Sequence, residues 1–146
     1  MMFSSIRLSS SRLSSSLAAS HNVVPRHPAS GEPRDSPRTA SEVIGALARS
    51  GWDGCATASN HAADRGEAGV VATLDALDAH GLGHAGTYRS PEDASVPFAL
   101  YELERGGRTV TVAQISTTKD LNGLDDPTGY SVSLNDVGAI TKAAKT

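Results

Sequence analysis

The stretch from Trp52 to Gly86 limits what this chain can become more than any other. It reads as a short apolar strand, a sharp polar turn, a long amphipathic helix and a second short strand. Gly54, Cys55, Ala56, Thr57 and Ala58 are small or apolar, which suits a narrow buried strand. Asn60 and His61 fall where that strand ends, the place where α/β sheets present ligands and catalysts. Asp64, with Glu67 three residues on, is expected to cap the following helix by accepting from amides that have no partner inside it. Val70, Val71, Leu74 and Leu77 recur at helical spacing, Asp75, Asp78 and His80 point away, and Gly81 ends the helix. A βαβ crossover of this kind predicts parallel strands joined right-handedly.

The elements around it follow from the same rules. Thr39-Ala40-Ser41-Glu42 fits a capping box, with Val43, Ile44, Leu47 and Ala48 as the apolar face of a short helix closed by Gly51. Ser90-Pro91-Glu92-Asp93 opens one or two helical turns. Phe98, Leu100 and Leu103 against Val110, Val112 and Ile115 predict an antiparallel hairpin, its turn supplied by Gly106-Gly107. Residues 116–130 read as a long polar loop of the kind that borders a site. Asn135 is expected to cap a last helix over residues 136–145, with Val137, Ile140 and Ala144 as its apolar face.

The N-terminal part has another character. Residues 1–29 are Ser-rich, contain Arg7, Arg12 and Arg26, and have no Asp or Glu. Such a segment buries little, so residues 1–38 are expected to be disordered and residues 39–146 to form the folded unit. The Arg- and Ser-rich start also resembles an organelle transit peptide. Ile6, Leu8, Leu13 and Leu17 are separated by Ser and Arg, which leaves no apolar run of spanning length. Pro25, Pro28, Pro33 and Pro37 favour extended backbone, and His21 and His27 among them read as solvated rather than as ligands.

Composition narrows the function classes. A net charge of −3 with no basic stripe after the N-terminal region argues against nucleic acid. One cysteine excludes an internal disulfide, and no Cys/His spacing is that of a zinc finger. Cys55 reads as a small buried residue, and Ser59 has neither the elbow nor the oriented base that a nucleophile needs. Asn60 and His61 read either as a satisfied polar turn or as site residues. His84 reads as a hydrogen-bonded histidine, Arg65 and Arg89 as solvated or anion-facing cations, and Asp125 and Asp126 as exposed charge or a divalent-cation site.

A resemblance adds to this. Gly51-Trp52-Asp53-Gly54, then Asn60-His61-Ala62-Ala63-Asp64-Arg65-Gly66-Glu67-Ala68-Gly69, then Leu82-Gly83-His84-Ala85-Gly86 resemble the CapA family of bacterial capsule, or poly-gamma-glutamate, synthesis proteins. The likeness covers residues 39–146, the hairpin included. It implies an α/β fold similar to the calcineurin-like metallophosphoesterases: here a partial one, the βαβ unit followed by the antiparallel hairpin and the C-terminal helix. It implies that Asn60 is a ligand of a divalent metal pair (Mn, Fe or Zn), and that His61 contacts a phosphate-like group or donates a proton. It also implies a bacterial envelope setting with polymer-synthesis or export components as partners. The early Asp-x-His and Gly-Asp motifs and the later His-Trp-Gly-type motif of such proteins have no counterpart here. The expectation is therefore a fragment with an incomplete ligand set and little or no hydrolysis, weakly stable in isolation. The alternative is a non-catalytic binding or assembly component of the same process.

Overall fold

The computed structural model describes residues 4–6 and 37–145. In chain order the elements are β1 (Ser4–Ile6), α1 (Pro37–Arg49), β2 (Gly54–Ala56), α2 (Gly66–Ala79), β3 (Gly83–Ala85), α3 (Pro91–Ala94), β4 (Ala99–Arg105), β5 (Arg108–Gln114) and α4 (Val137–Ala143). They form a three-stranded sheet in the order β1-β2-β3 and a separate β4-β5 hairpin, so the α/β class expected from the sequence is the one found. β2 and β3 are parallel, with Gly54 opposite Gly83, Cys55 opposite His84 and Ala56 opposite Ala85. Of the segment expected to be disordered, residues 1–3 and 7–36 lie outside the described residues, as do the transit-peptide reading and His21 and His27. Ser4–Ile6 runs antiparallel along β2, and Pro37 and Arg38 already belong to α1.

One face of the β2-β3 pair is closed by helices. Ile44 from α1, Cys55 from β2, Val70, Leu74 and Leu77 from α2, and Leu82 form the main buried cluster, with Leu47, Ala48, Trp52 and Ala76 packed around it. Burying each of the leucines contributes about 1.5–3 kcal/mol. Both long helices end alike. At α2, the Leu82 amide donates to the Leu77 carbonyl (3.0 Å) and the Gly81 amide to Asp78 (3.0 Å), with Gly81 at φ +68°. At α1, Trp52 donates to Leu47 (3.3 Å) and Gly51 to Ala48 (3.0 Å), with Gly51 at φ +78°. These paired bonds satisfy carbonyls that the helix leaves open, and the left-handed turn that they need is why glycine stands at both positions.

The opposite face is closed by Tyr101 of β4. A Cβ on Gly54 would run into the Tyr101 hydroxyl, and one on Gly83 would lie 2.7 Å from its ring. The two glycines that face each other across the parallel pair are thus the floor on which the ring lies. The Tyr101 hydroxyl donates to Gln114 Oε1 across the hairpin (2.6 Å). Burial, with the nearness of Cys55 and Asp53 adding to it, pushes this phenol up to about 12, so it stays a donor throughout the neutral range.

Several boundaries depart from the sequence reading. Thr39 sits inside the first turn of α1 rather than capping it, because Pro37 opens the helix at a position where a missing N–H leaves nothing unsatisfied. Val43 is 47% exposed; the buried side of α1 is Ile44 with Gly45, where a Cβ would meet the His80 ring at 3.0 Å. α2 begins at Gly66, with no side-chain cap from Asp64, whose carboxylate is engaged elsewhere. Asp136, not Asn135, caps α4, accepting from the Gly138 and Ala139 amides, and Val137 is 79% exposed. α3 has the expected form, with Ser90 Oγ accepting from the Asp93 amide (3.2 Å).

The loop after β5 is organised by one carboxylate. Asp126 accepts from the Ser131 and Thr128 hydroxyls and from the Thr128 (3.2 Å) and Val132 (3.1 Å) amides. Thr87 bridges to Val132 and Thr118 to Leu134, which ties the returning chain to the end of β3. Partial burial works against the Asp126 charge, but the Ser131 hydroxyl, the Thr128 and Val132 amides and the Thr128 hydroxyl outweigh it and hold the carboxyl below its ordinary range.

Two expected outcomes follow. Gly54→Ala destabilises the protein by about 1–3 kcal/mol through overpacking against Tyr101, and urea unfolding shows a smaller loss in a Tyr101→Ala background. A carboxyl with a lowered folded pKa contributes stability that is complete above its unfolded value of about 3.9 and is lost as pH falls through the folded value. Asp126→Asn is therefore less stable than the parent near neutrality, and melting curves of the two converge in strong acid.

Candidate functional site

The Asn60-His61 turn lies just past the C-terminal end of β2, as the sequence predicts for a site-bearing turn. The strand pairing runs on beyond the last strand residue: the Thr57 amide and hydroxyl both donate to the Ala85 carbonyl (2.9 Å each), and the buried Thr87 hydroxyl donates to Thr57 Oγ1 (2.7 Å). From this fixed point the chain turns through Ala62 N to Ser59 O (3.0 Å) and Gly66 N to Ala63 O (2.8 Å), with Gly66 at φ +62°. Ala63 is 6% exposed and packs with Leu121 and Val132, while Ala58 and Ala62 lie against the same cluster. That contact explains why the distant loop reaches the turn: burying Leu121 brings its neighbour Asn122 beside Asn60 and His61.

The polar groups converge as follows. Asn60 Nδ2 donates to Asn122 Oδ1 (2.9 Å), and Asn122 Nδ2 stands 3.3 Å from His61 Nδ1. His61 Nδ1 is also 2.9 Å from Asp64 Oδ2. Asp64 was expected to cap α2; the imidazole takes its carboxylate instead. A carboxylate only accepts, so the shorter contact makes Nδ1 the proton-bearing nitrogen. Nε2 makes no hydrogen bond to the described residues. It is an acceptor in the neutral ring and a donor in the protonated one. Asn122 is the one non-glycine residue among the described residues with positive φ, +56°, and its amide is fixed by Asp120 Oδ1 (3.1 Å). His61 and Asp64 are each about half exposed, 50% and 49%, so a ligand reaches them without rearrangement of the core.

Asn122 is the member that sequence reasoning missed. Asn122-Gly123 signals a turn with positive φ, but nothing local to it points to a partner 62 residues away.

The other residues singled out in the sequence have separate employment. Cys55 is fully buried under α2. Ser59 Oγ accepts from the His61 amide (3.3 Å) and is not aligned with the ring as a nucleophile. His84 pairs with Asp78 (3.1 Å), and Arg89 is clamped by Asp75 (2.9 Å) and Asp78 (2.6 Å), which locks the end of β3 to α2. Burial opposes the Arg89 charge, but the bonds that it donates to the two carboxylates keep it firmly protonated. Asp126 is consumed by its own loop, and Asp125 is exposed. A cavity of about 360 Å³ near Leu74, His84, Arg89, Val96 and Phe98 lies among these locked groups, apart from the Asn60-His61 turn.

A divalent metal pair needs several oxygen or nitrogen donors converging at bonding distance. No group of three or more His, Cys, Asp or Glu that suits a metal ion occurs among the described residues. Asn60 and His61 stand together, but Asp64 is turned onto His61 and Asn122 Oδ1 onto Asn60, so the donors in this cluster do not by themselves fit a two-metal centre.

No curated protein and no solved structure matches the chain. A family profile does, over residues 24–144: that of the bacterial capsule synthesis protein PGA_cap. The match starts before residue 39, within the Pro-rich stretch, and takes in the Asn60-His61 turn, the hairpin and the Asn122 loop. With most of its length matched, from ahead of α1 to the end of α4, the chain belongs to the bacterial capsule synthesis protein family PGA_cap.

Proposed function

We propose that this chain serves capsule polymer synthesis by engaging an oxyanionic group, phosphate-like in geometry, at the Asn60-His61 turn. The observation that carries the reading is the His61-Asp64 pair, standing beside an Asn60 side chain that Asn122 holds. It fixes which ring nitrogen bears a proton within the turn and leaves Nε2 without a hydrogen-bond partner among the described residues. Nε2 is the atom that would donate to a bound oxyanion, and Asn60 the residue that would present a carbonyl oxygen to an accompanying Mn, Fe or Zn ion. Donors beyond this cluster would be needed to hold such an ion tightly. The substrate side of the reading is poly-gamma-glutamate or a related envelope polymer and its synthesis or export partners.

A second reading, metal-dependent phosphoester hydrolysis, is favoured by the same pair, since a carboxylate-oriented histidine is what proton transfer to a leaving group requires. The two differ in turnover.

Calorimetric titration separates them. Inorganic phosphate is expected to bind the purified chain weakly and to bind His61→Ala about tenfold less well or not at all, the loss of a charge-assisted hydrogen bond being of order 1.5–3 kcal/mol. Equal binding by the variant would remove the turn from the function. Mn²⁺ and Zn²⁺ are expected to show no tight site that Asn60→Ala abolishes, and a generic phosphomonoester is expected to stay intact in their presence. Metal-dependent turnover that is lost in His61→Ala would replace the binding reading with the hydrolytic one.

A further inference from the structure

The β4-β5 hairpin has a feature that the rest of the described residues leaves unused. Its two-residue turn, Gly106-Gly107, has both φ angles positive (+59° and +74°), and Arg105 faces Arg108 as the closing pair. In such a turn the closing pair is hydrogen-bonded and the pairs then alternate. Val110 and Val112 therefore point their backbone groups at β4. Thr109, Thr111 and Ala113 point theirs outward, and no hydrogen bond from the described residues meets them. Thr109, Val110, Thr111 and Ala113 are exposed, and Val110, which shares a face with Tyr101 but lies beyond its cover, is 45% accessible.

The side chains choose what pairs there. Residues 109–113, Thr-Val-Thr-Val-Ala, carry no charge and are β-branched at four of five positions, the composition that extends a sheet most readily. A second β5 laid antiparallel about Thr111 sets Thr111 against Thr111, Val110 against Val112, Thr109 against Ala113 and Arg108 against Gln114. No like charges meet, and Val110 with Val112 falls at a non-hydrogen-bonded position, where side chains stand closest. The outward edge of β4 fails the same test: centring on Glu102 sets Glu102 against Glu102 and Leu100 against Glu104.

We infer that the outer edge of β5 is a self-association edge, on which β5 of a second copy of this chain adds antiparallel about Thr111 to make a four-stranded sheet. The new sheet extends the half-covered stripe of Leu103, Val110 and Val112 across the two-fold axis, and a two-stranded ribbon gains a neighbour at an edge that no other described strand pairs.

Light scattering on the full chain across a concentration series tests this. The parent is expected to move from monomer to dimer with concentration. Thr111→Lys, which places two ammonium groups face to face while keeping every bond to β4, is expected to weaken the dimer about tenfold or more, and Glu102→Lys to leave it intact. Should Thr111→Lys fail to fold, Thr111→Cys decides: with added oxidised glutathione taking up the two electrons, a disulfide dimer forms across the axis, whereas Thr109→Cys, opposite Ala113, does not cross-link. A parent that stays monomeric, a dimer indifferent to Thr111→Lys, or equal cross-linking by the two cysteine variants would each overturn the inference.

Discussion

The fold depends on Tyr101 lying across Gly54 and Gly83. A parallel pair of strands must be covered on both faces, and strands three residues long offer little with which to recruit that cover. On one face Cys55 and Leu82 meet the apolar side of α2. On the other, Gly54 and Gly83 present bare backbone side by side, so the Tyr101 ring can come close to both. The hairpin is held to the sheet through that ring, and the hydrogen bond to Gln114 keeps the ring in place. The functional turn inherits this rigidity, since Asn60 follows directly from the strand that Tyr101 and α2 hold between them.

The site is built by a division of labour between short-range and long-range forces. The Ala63, Leu121 and Val132 contact brings the loop to the turn without regard to polar geometry. Asp120, Asp126 and the left-handed Asn122 then set the angle at which the amide arrives. Apolar burial is non-directional and hydrogen bonds are not, so proximity comes from the first and orientation from the second. Arg89 with Asp75 and Asp78 performs the same service on the far side of α2, holding the end of β3 while leaving the Asn60-His61 turn untouched.

Much of this was legible in the sequence wherever a local pattern decides the outcome. The period of Val70, Leu74 and Leu77, the glycines that end α1 and α2, the Ser90 cap and the Gly106-Gly107 turn each have their cause within a few residues. Val43 and Val137 were placed on apolar faces and are exposed, because periodicity says which side of a helix is apolar but not how much of it the neighbours cover. The start of α2 was misplaced because Asp64 had two takers, a helix amide and the His61 ring, and only the fold decides between them. Asn135 lost the cap of α4 to its neighbour Asp136 for a similar reason, as both side chains can serve. Asn60 and His61 were visible as candidates from strand, turn and family likeness. Asn122 was not, since turn chemistry announces a bend and stays silent about what the bend will touch.

The bridge from Asn60 to Asn122 also has a direction in time. Chains are made from the N-terminus, and this hydrogen bond joins residues 62 positions apart. The βαβ unit that carries the Asn60-His61 turn is complete in sequence by Gly86, well before Asn122 is added. The residues of the turn are thus all made before the one that completes its geometry, and Asn60 can gain this partner only after the loop knotted by Asp126 has been added. Any length of chain that passes Gly86 but ends before Asn122 carries both candidate residues of the turn and lacks the partner that orients Asn60.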